Sequence, residues 1–330
     1  MRLRVLAVFA AALVVAGCEV PPSSTEPDPR VVVEHALSAL ATEPAISYRL
    51  PGATLSVTRG GLAEGRLPLH GEQVRALRVG GELYVRAAPA YWRRQGMSAE
   101  RAARFGAQWA RADRGVPLDP GRAMAPQAVA GALRAALPRD AHPVRAGDAF
   151  DLAGLRVSAN APYRVLSFPS ALLGPAAHEL GSPAVHLDEV RLDDLRTRID
   201  HGVADLGQPL IAGPAIAANV TDHDLTCTTR GACTDSVRVG NRLLGTADRA
   251  AARVRLRTTV SAAALGARTC EREAVLPLNT QADLSCAVRF TLPRVNGATT
   301  VRAAPAVTAE PVAVVDPEVL RREVAAELGP

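Results

Sequence analysis

The residues with chemistry to offer are five cysteines, seven histidines and a scatter of carboxylates, and their spacing sorts them. Cys227, Cys233, Cys270 and Cys286 all fall in the last third of the chain, as Cys-x5-Cys followed by Cys-x15-Cys. Zinc ribbons use paired Cys-x2-Cys steps, so a metal site is the weaker reading and two disulfides the stronger. Four cysteines allow three pairings. The local one joins Cys227 to Cys233 across Arg230-Gly231, and Cys270 to Cys286 across Pro277–Asn279. Closing the longer loop contributes about 3 kcal/mol by loop entropy.

The fifth cysteine is of another kind. Arg2 and Arg4 precede an apolar run from Val5 to Gly17, and Cys18 follows directly. The run is shorter than the roughly 20 apolar residues that span a bilayer, and has the layout of a cleaved secretory signal. Val15-Ala16-Gly17-Cys18 matches the bacterial lipobox, in which the thiol is diacylated and cleavage leaves the cysteine first. Two or more acyl chains such as palmitate, at about 0.8 kcal/mol per buried methylene, anchor stably where one does not. Residues 1–17 are therefore expected to be a signal peptide and Cys18 the lipidation site. That implies an extracytoplasmic, lipid-anchored protein at the cell membrane.

The histidines are His35, His70, His142, His178, His186, His201 and His223. Asp222-His223-Asp224 and His186-Leu187-Asp188-Glu189 alone have the character of ligand clusters. On a strand, Asp222 and Asp224 share a side that His223 does not, and the expectation is solvated loop residues. The adjacent pair Asp193-Asp194 reads as a charged surface. Ser-x-x-Lys and P-loop motifs both need lysine, and the chain contains none. No Gly-x-Ser-x-Gly is present either. The expectation is a protein that is not an enzyme, with no catalytic residue, metal or cofactor.

Charge adds little to this. All 38 basic residues are arginine, scattered among 33 acids, and aromatics are only 3% of the chain. Nucleic-acid binding needs a basic stripe and stacking rings, so that partner class is set aside. Absent lysine beside abundant Ala, Arg, Gly and Pro reads as the codon bias of a GC-rich genome, as in actinobacteria.

The elements that hold these residues follow from patterning. Residues 18–30, the lipidated cysteine and a Pro- and Ser-rich stretch, read as a flexible tether. Asp28-Pro29 is a helix start, with Val33, Leu37 and Leu40 on one face and Pro44 closing it. From Ala45 the period becomes two: Ala45–Leu50, Thr54–Arg59, Leu62–Leu69, Val74–Val79 and Glu82–Ala87, divided by Gly-containing turns, predict an antiparallel meander. Helices are expected at Pro89–Arg94, Ser98–Phe105 and Ala123–Leu137, and strands at Pro143–Ala146, Phe150–Ser158 and Tyr163–Phe168. Residues 171–210 read as a connector with a helix near Leu192–Ile199. Seven short strands over 211–315 predict a β-sandwich, and 316–330 a terminal helix that packs on the sandwich or meets a partner.

A resemblance accompanies this pattern. Gly80-Gly81-Glu82-Leu83-Tyr84-Val85-Arg86, then Tyr91-Trp92, then Gln108-Trp109, with Ala161-Pro162-Tyr163 before a closing strand, resembles the actinobacterial lipoproteins of the LolA and LppX/LprG group. It covers about residues 31–170. The resemblance implies an antiparallel half-barrel sheet with covering helices, whose concavity holds lipid or lipoprotein acyl chains. The C-terminal region resembles immunoglobulin-like domains of bacterial envelope proteins in a generic way.

The expected fold class is therefore α+β: a half-barrel at 31–170 and a disulfide-bearing sandwich at 211–315. Leu83, Val85, Tyr91, Trp92 and Trp109 are the expected ligand-lining residues, with core packing as the competing role for the aromatics. The leading expectation is a lipoprotein that binds or transfers an apolar ligand, an acyl chain or glycolipid. The alternative is a non-catalytic envelope scaffold that contacts another envelope protein and has no ligand cavity.

Overall fold

The structure, a computed structural model, describes residues 27–106, 108–112, 118–138, 140–174, 180, 183–292 and 299–329. The signal peptide, Cys18, most of the tether and His178 lie outside the described residues. The fold is mixed α+β and mostly sheet, with one large open sheet, a smaller one and a few helices.

The first helix, α1 (Pro29–Thr42), begins as its sequence dictates. Asp28 Oδ1 accepts from the Arg30 N–H at 2.9 Å, and Pro29 takes the first helical position. Its apolar stripe, including Val33, Leu37 and Leu40, is buried. The meander follows, with β1 (Ala45–Leu50), β2 (Ala53–Thr58), β3 (Ala63–Leu69), β4 (Glu72–Val79) and β5 (Glu82–Arg86) each pairing antiparallel with the next. Gly80 and Gly81 both have positive φ (62° and 73°), the backbone that a tight β4–β5 hairpin requires.

Helices α2 (Pro89–Arg94) and α3 (Ala99–Phe105) lead to the two-residue β6 (Ala110–Arg111). Then come α4 (Pro120–Ala123), α5 (Pro126–Ala136), β7 (Val144–Ala146), β8 (Ala149–Leu152), β9 (Leu155–Ser158), β10 (Val165–Pro169) and β11 (Ala184–Asp188). Helix α6 (Leu192–Leu206) and β12 (Leu210–Ile211) precede β13 (Ala215–Cys227), β14 (Ala232–Leu244), β15 (Ala250–Ala262), β16 (Gly266–Leu276), β17 (Gln281–Arg289), β18 (Val301–Ala313) and α7 (Pro317–Leu328). The large sheet runs β16-β15-β18-β12-β6-β5-β4-β3-β2-β1-β11-β10-β9-β8-β7, and the small one β13-β14-β17.

Three expectations change. The stretch 171–210 is more than a connector, because β11 pairs with β1 on one side and β10 on the other and completes the sheet. Five residues behind a proline-bearing segment carry little period-two signal, and both partners are distant in sequence. Among the described residues, the region 211–315 forms six long strands of 9 to 13 residues in place of the seven short ones expected. The first of them, β13, runs unbroken from Ala215 to Cys227, with a register shift between Val220 and Asp222. Finally, α7 does not pack on the sandwich. It lies on the first sheet beside α6, with Leu320 and Val324 buried against Leu77, Val79 and Tyr84.

Both faces of the meander are thus covered. Its inner face packs under α1, α3 and α5, with Leu55, Leu67 and Val85 in one cluster with Leu37, Phe105 and Leu133. Its outer face carries Leu77, Val79 and Tyr84 under α6 and α7. Farther along, β14 and β17 face β15 across a core of Val237, Val239, Val254, Leu256 and Cys286. The two regions share the sheet: β6 pairs parallel with β12, and β12 pairs antiparallel with β18. No helix among the described residues is long and apolar enough to cross a membrane.

Candidate functional site

Strand β5 sends Leu83 and Val85 to the inner face, where both are buried at 9% and 0% exposure. Helix α2 lays Tyr91 and Trp92 beside them. Their rings meet edge-on with centroids 5.0 Å apart, and Trp92 meets Phe105 in the same way at 5.1 Å. Such pairs stabilise beyond the area they bury.

Trp109 is on the opposite face. The β5–β6 register pairs Val85 with Ala110, which puts Ala110 inside and turns its neighbour Trp109 outward under α6. There its indole N–H donates to Asp205 Oδ2 at 3.0 Å, and the Arg75 guanidinium lies 5.2 Å from the ring centroid. Four of the five expected lining residues therefore come together, and the fifth is a clamp for α6.

The inner face is fastened by polar contacts as well. Tyr48 is fully buried, and its hydroxyl donates to the Met124 carbonyl at 2.6 Å, tying β1 to the loop between α4 and α5. Burial pushes its phenol far above the ordinary range, so it remains a donor. On the outer face the Tyr84 phenol is pushed up to about 12, by burial first and the neighbouring Glu82 charge second. On the inside the Trp92 indole N–H is buried and, among the described residues, has no hydrogen-bond partner.

The C-terminal region brings its cysteines together in the two expected pairs. Cys227 and Cys233 sit opposite each other on β13 and β14 at disulfide distance, with Cα atoms 4.0 Å apart. Cys270 on β16 and Cys286 on β17 also lie at disulfide distance, with Cα atoms 5.9 Å apart, and join the large sheet to the small one.

The cluster at Asp222-His223-Asp224 is a strand and not a loop, and it hides a pair that spacing did not reveal. His223 Nδ1 lies 3.1 Å from Oδ1 of Asp235 on the neighbouring strand. Asp235 is completely buried and its second oxygen has no partner among the described residues, while the imidazole is 39% exposed. Asp235 stands opposite Cys286, and Thr258, another buried group without a hydrogen bond, stands opposite Cys270. A buried acid capped by a half-exposed imidazole is an ion pair or an acid–base couple. Among the described residues no three His, Cys, Asp or Glu side chains gather to hold a metal. Sequence reasoning missed this pair because its members lie on different strands; the signal available was an Asp at an inward position of the alternating strand Cys233–Val239.

Two surface clefts flank the first sheet. One, of about 380 Å3, runs between α1 and the β1–β11–β10 region and includes Leu40, Ile46, Val165 and Leu187. The other, of about 760 Å3, is polar and lies on the outer face beside α6. Neither is lined by Leu83, Val85, Tyr91, Trp92 or Trp109.

The chain matches no protein-family model, no curated protein and no solved structure.

Proposed function

We propose that this chain is an exported lipoprotein, held to the outer side of a membrane through Cys18, whose folded body is a rigid, non-catalytic envelope scaffold that engages another envelope protein. The lipobox supports the anchor. The observation that carries the scaffold reading is the inner face of the meander: Leu83, Val85, Tyr91 and Trp92 are buried against α2, α3 and the neighbouring strands. Lipid carriers of the LolA type keep that face for a ligand, and a ligand site there needs several hundred Å3 of apolar space. The half-barrel reading draws support from eleven consecutive strands, β6 through β7, whose inner face packs under α1, α3 and α5. The immunoglobulin-like reading draws support from two facing sheets stapled by Cys270 and Cys286.

A second reading keeps the apolar ligand. Two observations favour it: the unpartnered Trp92 N–H, which an ester or hydroxyl oxygen would satisfy, and the half-apolar cleft beside Leu40 and Ile46. Mass spectrometry of the protein purified from its own membrane separates the readings. Acyl mass on Cys18 with no co-purified lipid is the scaffold result. A stoichiometric non-covalent lipid, retained through purification, establishes the carrier instead.

A further inference from the structure

Alternation along the meander puts one row of outward residues across five strands. Ser47 pairs with Ser56, Ser56 with Glu64, Glu64 with Leu77, and Leu77 with Tyr84. The row changes character halfway. Leu77 and Tyr84 lie under α6 and α7, whereas Ser47 and Ser56 form a floor of small hydroxyls that joins the 760 Å3 cleft. Thr54 adds a third hydroxyl.

The next row is basic. Arg66 pairs directly with Arg75, and Arg75 with Arg86, so arginine faces arginine twice on adjacent strands. Like charges placed opposite each other destabilise an antiparallel pair. Acids relieve part of the row. Asp205 lies 3.8 Å from Arg75 and 3.2 Å from Arg86, and Glu64 lies 3.6 Å from Arg75 and 3.2 Å from Arg198 of α6. The remaining acids of the cleft wall are engaged elsewhere, Glu189 with Arg164 and Asp194 with Arg191. Arg66 is exposed and, among the described residues, meets no acid. The cleft therefore keeps an uncompensated guanidinium, Arg66, beside Arg75, Arg86 and Arg198, three guanidiniums that share the two carboxylates Glu64 and Asp205, above a hydroxyl floor.

We propose that this cleft binds a phosphate-bearing ligand, with Arg66 as its principal contact, Arg75 and Arg198 as flanking charges, and Ser47, Thr54 and Ser56 as neutral donors. Guanidinium groups offer forked donors that match tetrahedral oxyanions, and several around one site suit a doubly charged group. A phosphate would also neutralise the cross-strand repulsion that the fold leaves standing. The phosphate can come from a soluble phosphoryl compound or from a phospholipid headgroup, and the test separates the two.

The full chain carrying Cys18→Ser, which removes the acyl anchor, is titrated calorimetrically with inorganic phosphate. It is also sedimented with vesicles of phosphatidylglycerol or of phosphatidylcholine. Arg66→Ser is compared with Arg257→Ser, an exposed arginine of β15 far from the cleft, with melting temperatures recorded for both. The expected result is binding that weakens at least tenfold in Arg66→Ser and is unchanged in Arg257→Ser. Binding of free phosphate without vesicle capture assigns a soluble ligand. Capture by phosphatidylglycerol vesicles, competed by phosphate, assigns a headgroup. The proposal is overturned if neither probe binds, if Arg66→Ser binds like the parent, or if both variants lose affinity equally, which is diffuse charge alone.

Discussion

Glu310 on β18 holds Arg104 on α3 by two hydrogen bonds from one guanidinium, 2.6 Å from Nη2 and 3.0 Å from Nε. The other Glu310 oxygen accepts from Arg101 Nε at 3.2 Å, and Arg101 Nη2 donates to the Pro214 carbonyl at 2.8 Å. One carboxylate, 13% exposed, thereby joins a helix of the first region to strands of the second. Together with the β6–β12–β18 continuity it makes the two regions a single body. Glu310→Ala removes the less exposed of Arg104's two acids and Arg101's carboxylate, leaving Arg104 with Glu100 and Arg101 with the Pro214 carbonyl, and a loss of about 1–3 kcal/mol is expected. Urea denaturation reads it; an unchanged midpoint means the sheet continuity alone holds the regions together.

The His223–Asp235 pair makes a two-sided prediction. His223→Ala removes the partner of a buried acid and should destabilise by about 1–3 kcal/mol. Asp235→Val removes the acid together with its unmet oxygen, and replacement of a buried charge by an apolar group is often neutral or stabilising. Thermal melts of the two variants should therefore move in different directions. Equal destabilisation by both would mean that the pair is a net stabilising contact.

The terminal helix should be part of the core. Leu320 packs over Gly80, and the Glu327 carboxylate accepts from the Gly60 N–H at 2.9 Å and from the Thr58 hydroxyl. Leu320→Ala is expected to cost about 2–3 kcal/mol as a buried leucine truncation. Deleting residues 316–330 should expose Leu77, Val79 and Tyr84 and raise binding of an apolar dye. Wild-type stability in the truncated chain would show that α7 merely rests on the sheet.

Overpacking reads the state of the inner face. Leu83→Trp or Val85→Phe in a filled core should destabilise by about 1–3 kcal/mol. In a protein with a lipid cavity the same changes instead block uptake of a fluorescent fatty acid with little effect on the melt. Running both measurements on the same samples decides between scaffold and carrier.

Anchoring is the simplest case. Cys18→Ser should release the protein from the membrane fraction or leave it unprocessed. A parent protein whose N-terminus carries no acyl mass, together with an unchanged membrane fraction in the variant, removes the lipoprotein reading.

What the sequence determined by itself is local. Asp28-Pro29 opens α1 because cap and φ are set by two adjacent residues. The meander from Ala45 to Arg86 is legible because alternation and glycine turns act within a few residues. The pairs Cys227–Cys233 and Cys270–Cys286 were within reach because each closes a short loop. The tertiary structure decided everything that depends on a distant partner. It made 184–188 a central strand, because the β1 and β10 edges lie far from it in sequence. It sent Trp109 outward, because the pairing of Val85 with Ala110 fixes which neighbour faces in. It also drew α7 back to the first sheet, since Leu77, Val79 and Tyr84 form an apolar patch that α6 alone leaves open. His223–Asp235 and the Arg66–Arg75–Arg86 row belong to the same class. Strand register creates both, and a single residue's shift in register would place each side chain on the other face.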